Sequence, residues 1–523
     1  MFDFKFITGR TLVVLITLTC SMSFMLFGYD QGVLSGIIGA DNQFGQDFNH
    51  PDATTQGLIV SVYQLGNVAG SIGIFFVGDY FGRKKSIVYA TTIMLIGAIL
   101  QTTAINRGMM YVARVITGIG NGANTSTVPV WQSETSTAKE RGKLVAVDSC
   151  LMIFGILIAY WMDYGFAHVS GPAQWRFPIG FQLVFIIIVL ALAVILPESP
   201  RWLHKKGRHA EGDAIIARLI GKGVMADDPR VLELSTVIVT TIELESAGGP
   251  FKMKELFQGG KLQNFRRMCI CFTVDAFQQL GGICVITYYL PKVLSGSVGM
   301  SRHMSLLMSG IITTEYFVAS IIQIFLVKYF KRRTLMFLSS AGEIITMAVL
   351  AGCVRDGGLA AGIVAVVMIF GYNTFYAFGW LTIPFVYPAE ITTLRLRAKG
   401  AAAASVGAWS IEFMVVQITP YCVQNIGYKT YILFAVLNAG IIVPVVYSFF
   451  PETAGMRLED IDHIFEQGGI TGGVLSKIGR VVDRRTDIEG AYHREIQPGE
   501  PNLSGSNSPS QVGSKVFEHQ EKA

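Results

Sequence analysis

Apolar and polar stretches alternate along nearly the whole chain, and the apolar ones are long. A helix needs ~20 mostly apolar residues to cross a bilayer core. Twelve stretches reach that length, at roughly 11–38, 57–78, 86–106, 109–130, 145–165, 177–196, 267–293, 305–327, 334–353, 360–388, 400–422 and 428–450. Between the sixth and seventh the pattern changes to a polar segment, 197–266. Within it "GRHAEGDAIIARLIGKG" predicts a short amphipathic helix. After residue 450 a helix is predicted over "LEDIDHIFEQ", followed by "GEPNLSGSNSPSQVGSK", a composition that buries no core. The predicted fold is therefore an all-α membrane protein of twelve spans. It divides into a six-helix half, 1–196, a linker with short helices, 197–266, a second six-helix half, 267–450, and a largely disordered tail, 451–523.

Composition sharpens this picture. The 523 residues are 51% hydrophobic and 15% charged, with a mean hydropathy of +0.46, where soluble domains are about 25% charged. The net charge of +5 does not suggest nucleic acid, because the basic residues sit in short loops between apolar stretches. Lys5, Arg10, Arg83, Lys84, Lys85, Lys139, Arg141, Lys143, Lys328, Lys331, Arg332, Arg333, Arg395, Arg397 and Lys399 fall on one side. The loop 39–56 on the other side has none. The positive-inside rule makes the first side cytoplasmic, with both termini there; the plasma membrane is the expected location. The seven cysteines make no metal-ligand spacing and no disulfide framework. No nucleophile–base constellation appears either. An enzyme is not expected, and no cofactor or metal.

The two halves repeat. "GDYFGRKKS" (78–86) recurs as "VKYFKRRTL" (327–335), and "PVWQSETSTAKERGK" (129–143) as "VYPAEITTLRLRAKG" (386–400). Glu134 and Arg141 match Glu390 and Arg397 at equal spacing. "PES" at 197–199 returns as "PET" at 451–453. Six plus six helices in parallel halves point to alternating access around a site near the midplane. Asp79, Arg83, Glu134 and Arg141, with Arg332, Glu390 and Arg397 in the second half, can pair across helices as a cytoplasmic gate. The second copy has Lys328 and Lys331 at the positions of Asp79 and Gly82.

Charges inside the apolar stretches are the sharper signal, since an ionisable side chain in hydrocarbon is expensive and marks function by default. "TLVVLITLTCSMSFMLFGY" carries no charge and ends at Asp30. Asp30 lies about 19 residues from the start of its helix, ~28 Å up at 1.5 Å per residue. Arg114 lies about five residues below the outer end of the fourth helix, ~8 Å down. Both fall in the outer half and can reach one another. A permanent ion pair that only fixes packing is the plainer alternative, but such pairs stabilise poorly against apolar packing. The spaced glycines of "RVITGIGNGANTST" lack the strand of a dinucleotide fingerprint. Gly118 and Gly122, like Gly28, Gly32 and Gly36, instead make small faces for close helix approach. In the seventh helix Asp275, Gln278, Gln279 and Gly282 are expected to share one face; the glutamines offer donors and acceptors suited to hydroxyl groups. Glu412, ~20 Å deep in the eleventh helix, is a further intramembrane acid, as are Glu315 and Glu343. For Asp275 and Glu412, substrate recognition, a second proton and a simple hydrogen-bonded neutral acid all stay open.

Taken as a set, "DYFGRKK", "RVITGIGNG", "PVWQSE…RGK", "PESPRWL", "QQLGG…YY" and "PETAG" resemble sugar porters of the major facilitator superfamily. "NTSTVPVWQSE", "AYWMDYG" and "QWRFP" look most like a fungal branch that includes glycerol–proton symporters. The resemblance implies that Asp30 and Arg114 couple protons. It implies a substrate site of Phe27, Gln278, Gln279, Tyr288, Phe385, Trp409 and Glu412, and that the loop ion pairs hold the outward-facing state. Departures from the family fall at Ile156, Cys284, Ala408 and Glu412, where amides are usual, and at Phe385, where tryptophan is common. The expected function is proton-coupled symport of a neutral monosaccharide. Glycerol or another polyol is the alternative, and a non-transporting sensor a third, disfavoured by the short tail. Expected partners are the polyhydroxyl substrate, protons and the lipid bilayer, and a monomer suffices.

Overall fold

A computed structural model describes residues 7–38, 42–136, 141–246, 252–260, 262–454, 456 and 458–467; the tail beyond 467, expected to lack structure, lies outside the described residues. Among the described residues every regular element is helical. The twelve long helices are α1 (Gly9–Ile37), α2 (Ala53–Phe81), α3 (Arg83–Thr102), α4 (Arg107–Thr135), α5 (Arg141–Phe166), α6 (Ala173–Ile195), α7 (Asn264–Gly296), α8 (Arg302–Tyr329), α9 (Arg332–Asp356), α10 (Gly358–Ile391), α11 (Arg397–Asn425) and α12 (Lys429–Phe449). Eleven are long and apolar enough to span a membrane. The exception is α4, whose glycines, asparagines, threonines and Arg114 lower its hydropathy. That polar content faces protein: Arg114, Thr117, Asn121, Asn124 and Thr127 are all buried.

Several helices outrun the apolar stretches that predict them. The α2 helix continues to Phe81 and α4 to Thr135, because backbone hydrogen bonding does not stop where hydrocarbon does. A short helix, Gln43–Asp47, was not expected. Asn42 caps it by accepting from the Gly45 N–H at 2.8 Å, and Phe44 and Phe48 pack on Trp175. The linker forms helices Pro200–Lys205, His209–Ile220 and Pro229–Ser246. The middle one is the predicted amphipathic helix and buries Gly212, Ile215, Ile216 and Ala217. The predicted tail helix forms as Leu458–Gln467; its Asp462 pairs with Arg267 at 2.7 Å.

Helix contacts repeat between the halves. The pairs α1–α5, α2–α4, α3–α4 and α3–α6 reappear as α7–α11, α8–α10, α9–α10 and α9–α12. The halves meet through α2–α11 and α5–α8, a pair of contacts that exchange under the same repeat, and through α1–α7. Small residues make the close approaches: a Cβ at Gly118 or Gly122 would overlap the carbonyl oxygens of Tyr63 and Asn67 on α2.

The second half is the less regular one. The α7 helix widens into a π-helical turn over Gln279–Ile283, with Gly282 at φ +106°. The α12 helix does the same over Asn438–Ile442, and α10 breaks between Phe378 and Ile383. This corrects one expectation. The single face across Asp275, Gln278, Gln279 and Gly282 does not persist, since the π turn changes the register after Gln279.

Candidate functional site

Asp30 on α1 and Arg114 on α4 form the expected ion pair. Arg114 Nη1 donates to Asp30 Oδ1 at 3.0 Å, and both side chains are 0% exposed. Arg114 also reaches the Val60 carbonyl at 3.4 Å, and its guanidinium lies 4.3 Å above the Tyr63 ring. The Tyr63 hydroxyl sits near the carboxyl but outside hydrogen-bond geometry.

Between the halves lies a cavity with about 40 Å³ of open space, lined among others by Phe27, Gln31, Gln278, Gln279, Cys284, Tyr288, Phe385 and Glu412. Six of the seven expected substrate residues line it. Trp409 does not; it stands behind the cavity, edge-on to Phe27 at 5.3 Å. The Gln278 amide donates to the Trp380 carbonyl at 2.8 Å, an oxygen in the α10 break. The Gln279 oxygen accepts from Cys284 Sγ at 3.2 Å. Glu412 carries the densest contacts. Its Oε1 accepts from the Gln31 amide at 3.1 Å and lies 2.6 Å from the Tyr288 hydroxyl and 3.4 Å from the end of the Gln64 amide, while its Oε2 makes no hydrogen bond among the described residues. Asp275, Glu315 and Glu343 are not in this cluster: Thr374 donates to Glu315 at 2.5 Å and Ser339 to Glu343 at 3.0 Å.

Sequence reasoning missed Gln31, Tyr63 and Gln64. The available signal was their position: polar groups beside Asp30, or in the second apolar stretch, deep enough to need partners. It also missed three bridges between the halves. Ser61 donates to Gln417 at 2.6 Å, Lys292 to Gln56 at 2.9 Å, and Tyr160 to the Thr287 carbonyl at 2.6 Å.

At the basic face the predicted gate acids pair with arginines of their own half, and Asp79 also with Lys205 of the linker at 2.7 Å. Arg83 bonds Glu134 through Nε and Nη2, each at 3.1 Å, and Asp79 at 3.0 Å. Arg332 bonds Glu390 at 3.1 Å. The Arg141 side chain lies outside the described residues, and Arg397 is half-buried. Lys331 in place of the first-copy glycine needs no special backbone. Gly82 turns the chain into α3 at φ +89°, whereas Lys331 enters α9 at φ −67°. The surprise is the role of the repeated "PES" and "PET" acids. Glu198 Oε1 accepts the backbone N–H groups of Arg83 and Lys84 at 2.8 and 3.0 Å. Glu452 accepts those of Arg332 and Arg333 at 2.9 and 3.0 Å. Each acid caps the third helix of its half, where orphan N–H groups and the helix dipole favour an anion. Burial pushes the Glu198 carboxyl above its ordinary range despite these donors. Just before α11, Arg395 grips Glu255 of the linker at 2.8 and 2.9 Å and holds that carboxyl below its ordinary range.

Comparison with known proteins places this arrangement. The sugar (and other) transporter family matches residues 15–465. The chain is 39% identical to the MFS-type transporter oryC of Aspergillus oryzae, over 88% of this chain and 86% of that protein. It is 34% identical to the sugar transporter STL1 of Saccharomyces cerevisiae, over 88% and 82%. It is 30% identical to a high-affinity glucose transporter of Kluyveromyces lactis, over 85% and 83%. Among solved structures, the proton:xylose symporter XylE superposes with a TM-score of 0.73 at 23% identity, covering 87% of this chain and all of that one; this likeness concerns the fold. The chain is a multi-pass membrane transporter, not an enzyme, and it belongs to the sugar (and other) transporter family.

Proposed function

We propose that this protein couples the entry of a neutral monosaccharide to the entry of a proton, with Asp30 as the proton-carrying carboxyl and Arg114 as its partner. The observation that carries the reading is the fully buried Asp30–Arg114 pair, set beside a cavity whose walls come from both halves. Protonating Asp30 removes the attraction that holds Arg114, which frees the α1–α4 contact to rearrange. Proton and sugar then move together when the halves rock about α2–α11 and α5–α8. Relatives named for sugar and glucose transport support the substrate class. The basic face is read as cytoplasmic, with Arg83–Glu134 and Arg332–Glu390 holding it closed, and the membrane as the plasma membrane.

The test is uptake of labelled hexoses, pentoses and polyols into cells lacking their own carriers, with and without a protonophore. Asp30→Asn is expected to abolish accumulation and leave at most equilibration down the gradient; residual equilibration also certifies the fold. Undiminished, protonophore-sensitive accumulation by the variant overturns the assignment.

A polyol such as glycerol is the second reading, favoured by Ile156 and Cys284 in the cavity wall and by the small free space there. Restoring Gln at 156 and Asn at 284 and 408 should raise glucose uptake relative to glycerol. Each new hydrogen bond contributes about 1 kcal/mol where geometry allows, so the combined shift reaches about tenfold or more. A competition assay reads the ratio. An unchanged ratio in a wild type that already prefers hexose removes the polyol reading.

A further inference from the structure

We propose that Glu412 is a second proton-binding carboxyl, facing the substrate cavity, and that it is loaded while α2 and α11 are together and released when they part. The inference extends the transport reading above to a residue where the family usually carries an amide.

Tyr288 lies 2.6 Å from Glu412 Oε1 and 3.0 Å from the end of the Gln64 side chain. Gln64 has two orientations of its amide on the same heavy atoms. In one, the nitrogen faces Tyr288 and Glu412, and the amide oxygen is pressed against the carbonyl oxygens of Ser61 and Val60, acceptor against acceptor. In the other, the nitrogen donates to those carbonyls at 2.8 and 2.9 Å, and the oxygen accepts from Tyr288 at 3.0 Å. The second satisfies Gln64, but it uses the single Tyr288 proton. The 2.6 Å contact then lacks a proton unless Glu412 supplies it. With Glu412 protonated, each of the short contacts has one donor, Glu412 to Tyr288, Tyr288 to Gln64, Gln64 to Val60 and Ser61, and Gln31 to Glu412, and the 3.4 Å approach of Gln64 to Glu412 is a van der Waals contact. With Glu412 ionised, the chain must reverse and two acceptors collide at Gln64. A buried mismatch of this kind leaves polar groups desolvated without a partner and disfavours the ionised form.

The surroundings agree. Tyr63, Cys284 and Tyr288 are the titratable groups that face Glu412, and among the described residues no lysine or arginine pairs with it. The chain ends at the Val60 carbonyl, which Arg114 also reaches at 3.4 Å, so the two acids share one strand of hydrogen bonds. Gln31 and Gln64 belong to the first half, Tyr288 and Glu412 to the second. Parting the halves removes Gln64 from Tyr288 and opens Glu412 to water. The proton then passes to solvent, leaving a carboxylate that hydration supports.

Infrared spectra of the reconstituted protein without sugar, taken from about pH 5 to about pH 9, test this directly. Wild type is expected to show a protonated-carboxyl carbonyl band that Glu412→Gln lacks and Asp30→Asn keeps. Tyr288→Phe, which removes the acceptor of the Glu412 proton, should move that band to higher frequency. Glu412→Asp keeps an acid and should displace the band, which provides a reading if Glu412→Gln does not fold. Identical carboxyl regions in wild type and Glu412→Gln, or in wild type and Glu412→Asp, overturn the proposal. Because no sugar is present, this outcome registers separately from failure of the transport reading.

Discussion

Gln278 has two duties at once. Its amide nitrogen closes a carbonyl left open where α10 breaks, its side chain lines the cavity, and under the proposed function its oxygen accepts from a substrate hydroxyl. Gln278→Ala is therefore expected to weaken substrate affinity by about 2- to 12-fold, the equivalent of about 0.5–1.5 kcal/mol. It should also lower the melting temperature, because the Trp380 carbonyl loses its donor. Trp409→Ala acts at one remove, by taking the edge contact from Phe27, and should raise KM with less effect on melting. Uptake kinetics normalised to surface level check both; unchanged kinetics in the pair remove this wall as the site. Residues of this kind were legible where the sequence put a charge or an amide in an apolar stretch with few partners to choose from, as for Asp30 and Arg114. Glu198 was not legible. A carboxylate in a loop gives no sign that it will accept N–H groups from residues 115 positions earlier, and Trp409 could not be separated from the ring that stands in front of it.

The α7 and α10 helices depart from regular geometry where they border the cavity, and α12 where it packs on the turn of α7. Gly282 in the π turn of α7 holds φ +106°, and a Cβ there would press on Phe434 at 3.1 Å and Met347 at 3.2 Å. The neighbouring Gly281 carbonyl is taken by Tyr372 at 3.1 Å and by Asn438 at 3.0 Å, so the turns of α7 and α12 are bonded to each other. Gly282→Ala should cost about 1–2 kcal/mol for the left-handed backbone alone, and more once the rings must move. The expected result is a lower melting temperature together with slower turnover. Unaltered melting and uptake would show that this turn is not held as described. Spans were readable from the sequence because hydropathy reports the solvent around a helix. It does not report hydrogen-bond register within one, so the π turns and the α10 break stayed hidden even though Gly281, Gly282 and Gly379 mark them.

Across the whole molecule, the halves touch along α2–α11 and α5–α8, and at the basic face Arg83–Glu134 and Arg332–Glu390 each pair inside one half. Cys150 on α5 is buried with its sulfur 3.3 Å from Ser320 on α8, which makes it a reporter of that seam. Removing one charge from each cluster, as Glu134→Gln with Glu390→Gln, should loosen the basic face and speed alkylation of Cys150 by a small thiol reagent. Equal rates in wild type and the double variant would mean that these pairs do not hold the face shut. The repeated motifs made this two-fold plan readable from the sequence, since matched acids and arginines at equal spacing imply matched neighbours. The bridges between halves were not readable, because Ser61, Gln56 and Thr287 are ordinary polar residues until a partner arrives from the other half. The paired caps have a consequence for biosynthesis. Glu198 follows directly after α6 and clips onto the start of α3; Glu452 follows directly after α12 and clips onto the start of α9. Each half thus has its own latch three residues past its last span. As the chain leaves the ribosome, the first bundle can fasten itself before any of the second has been translated. The second then closes by the same act, on a partner already set.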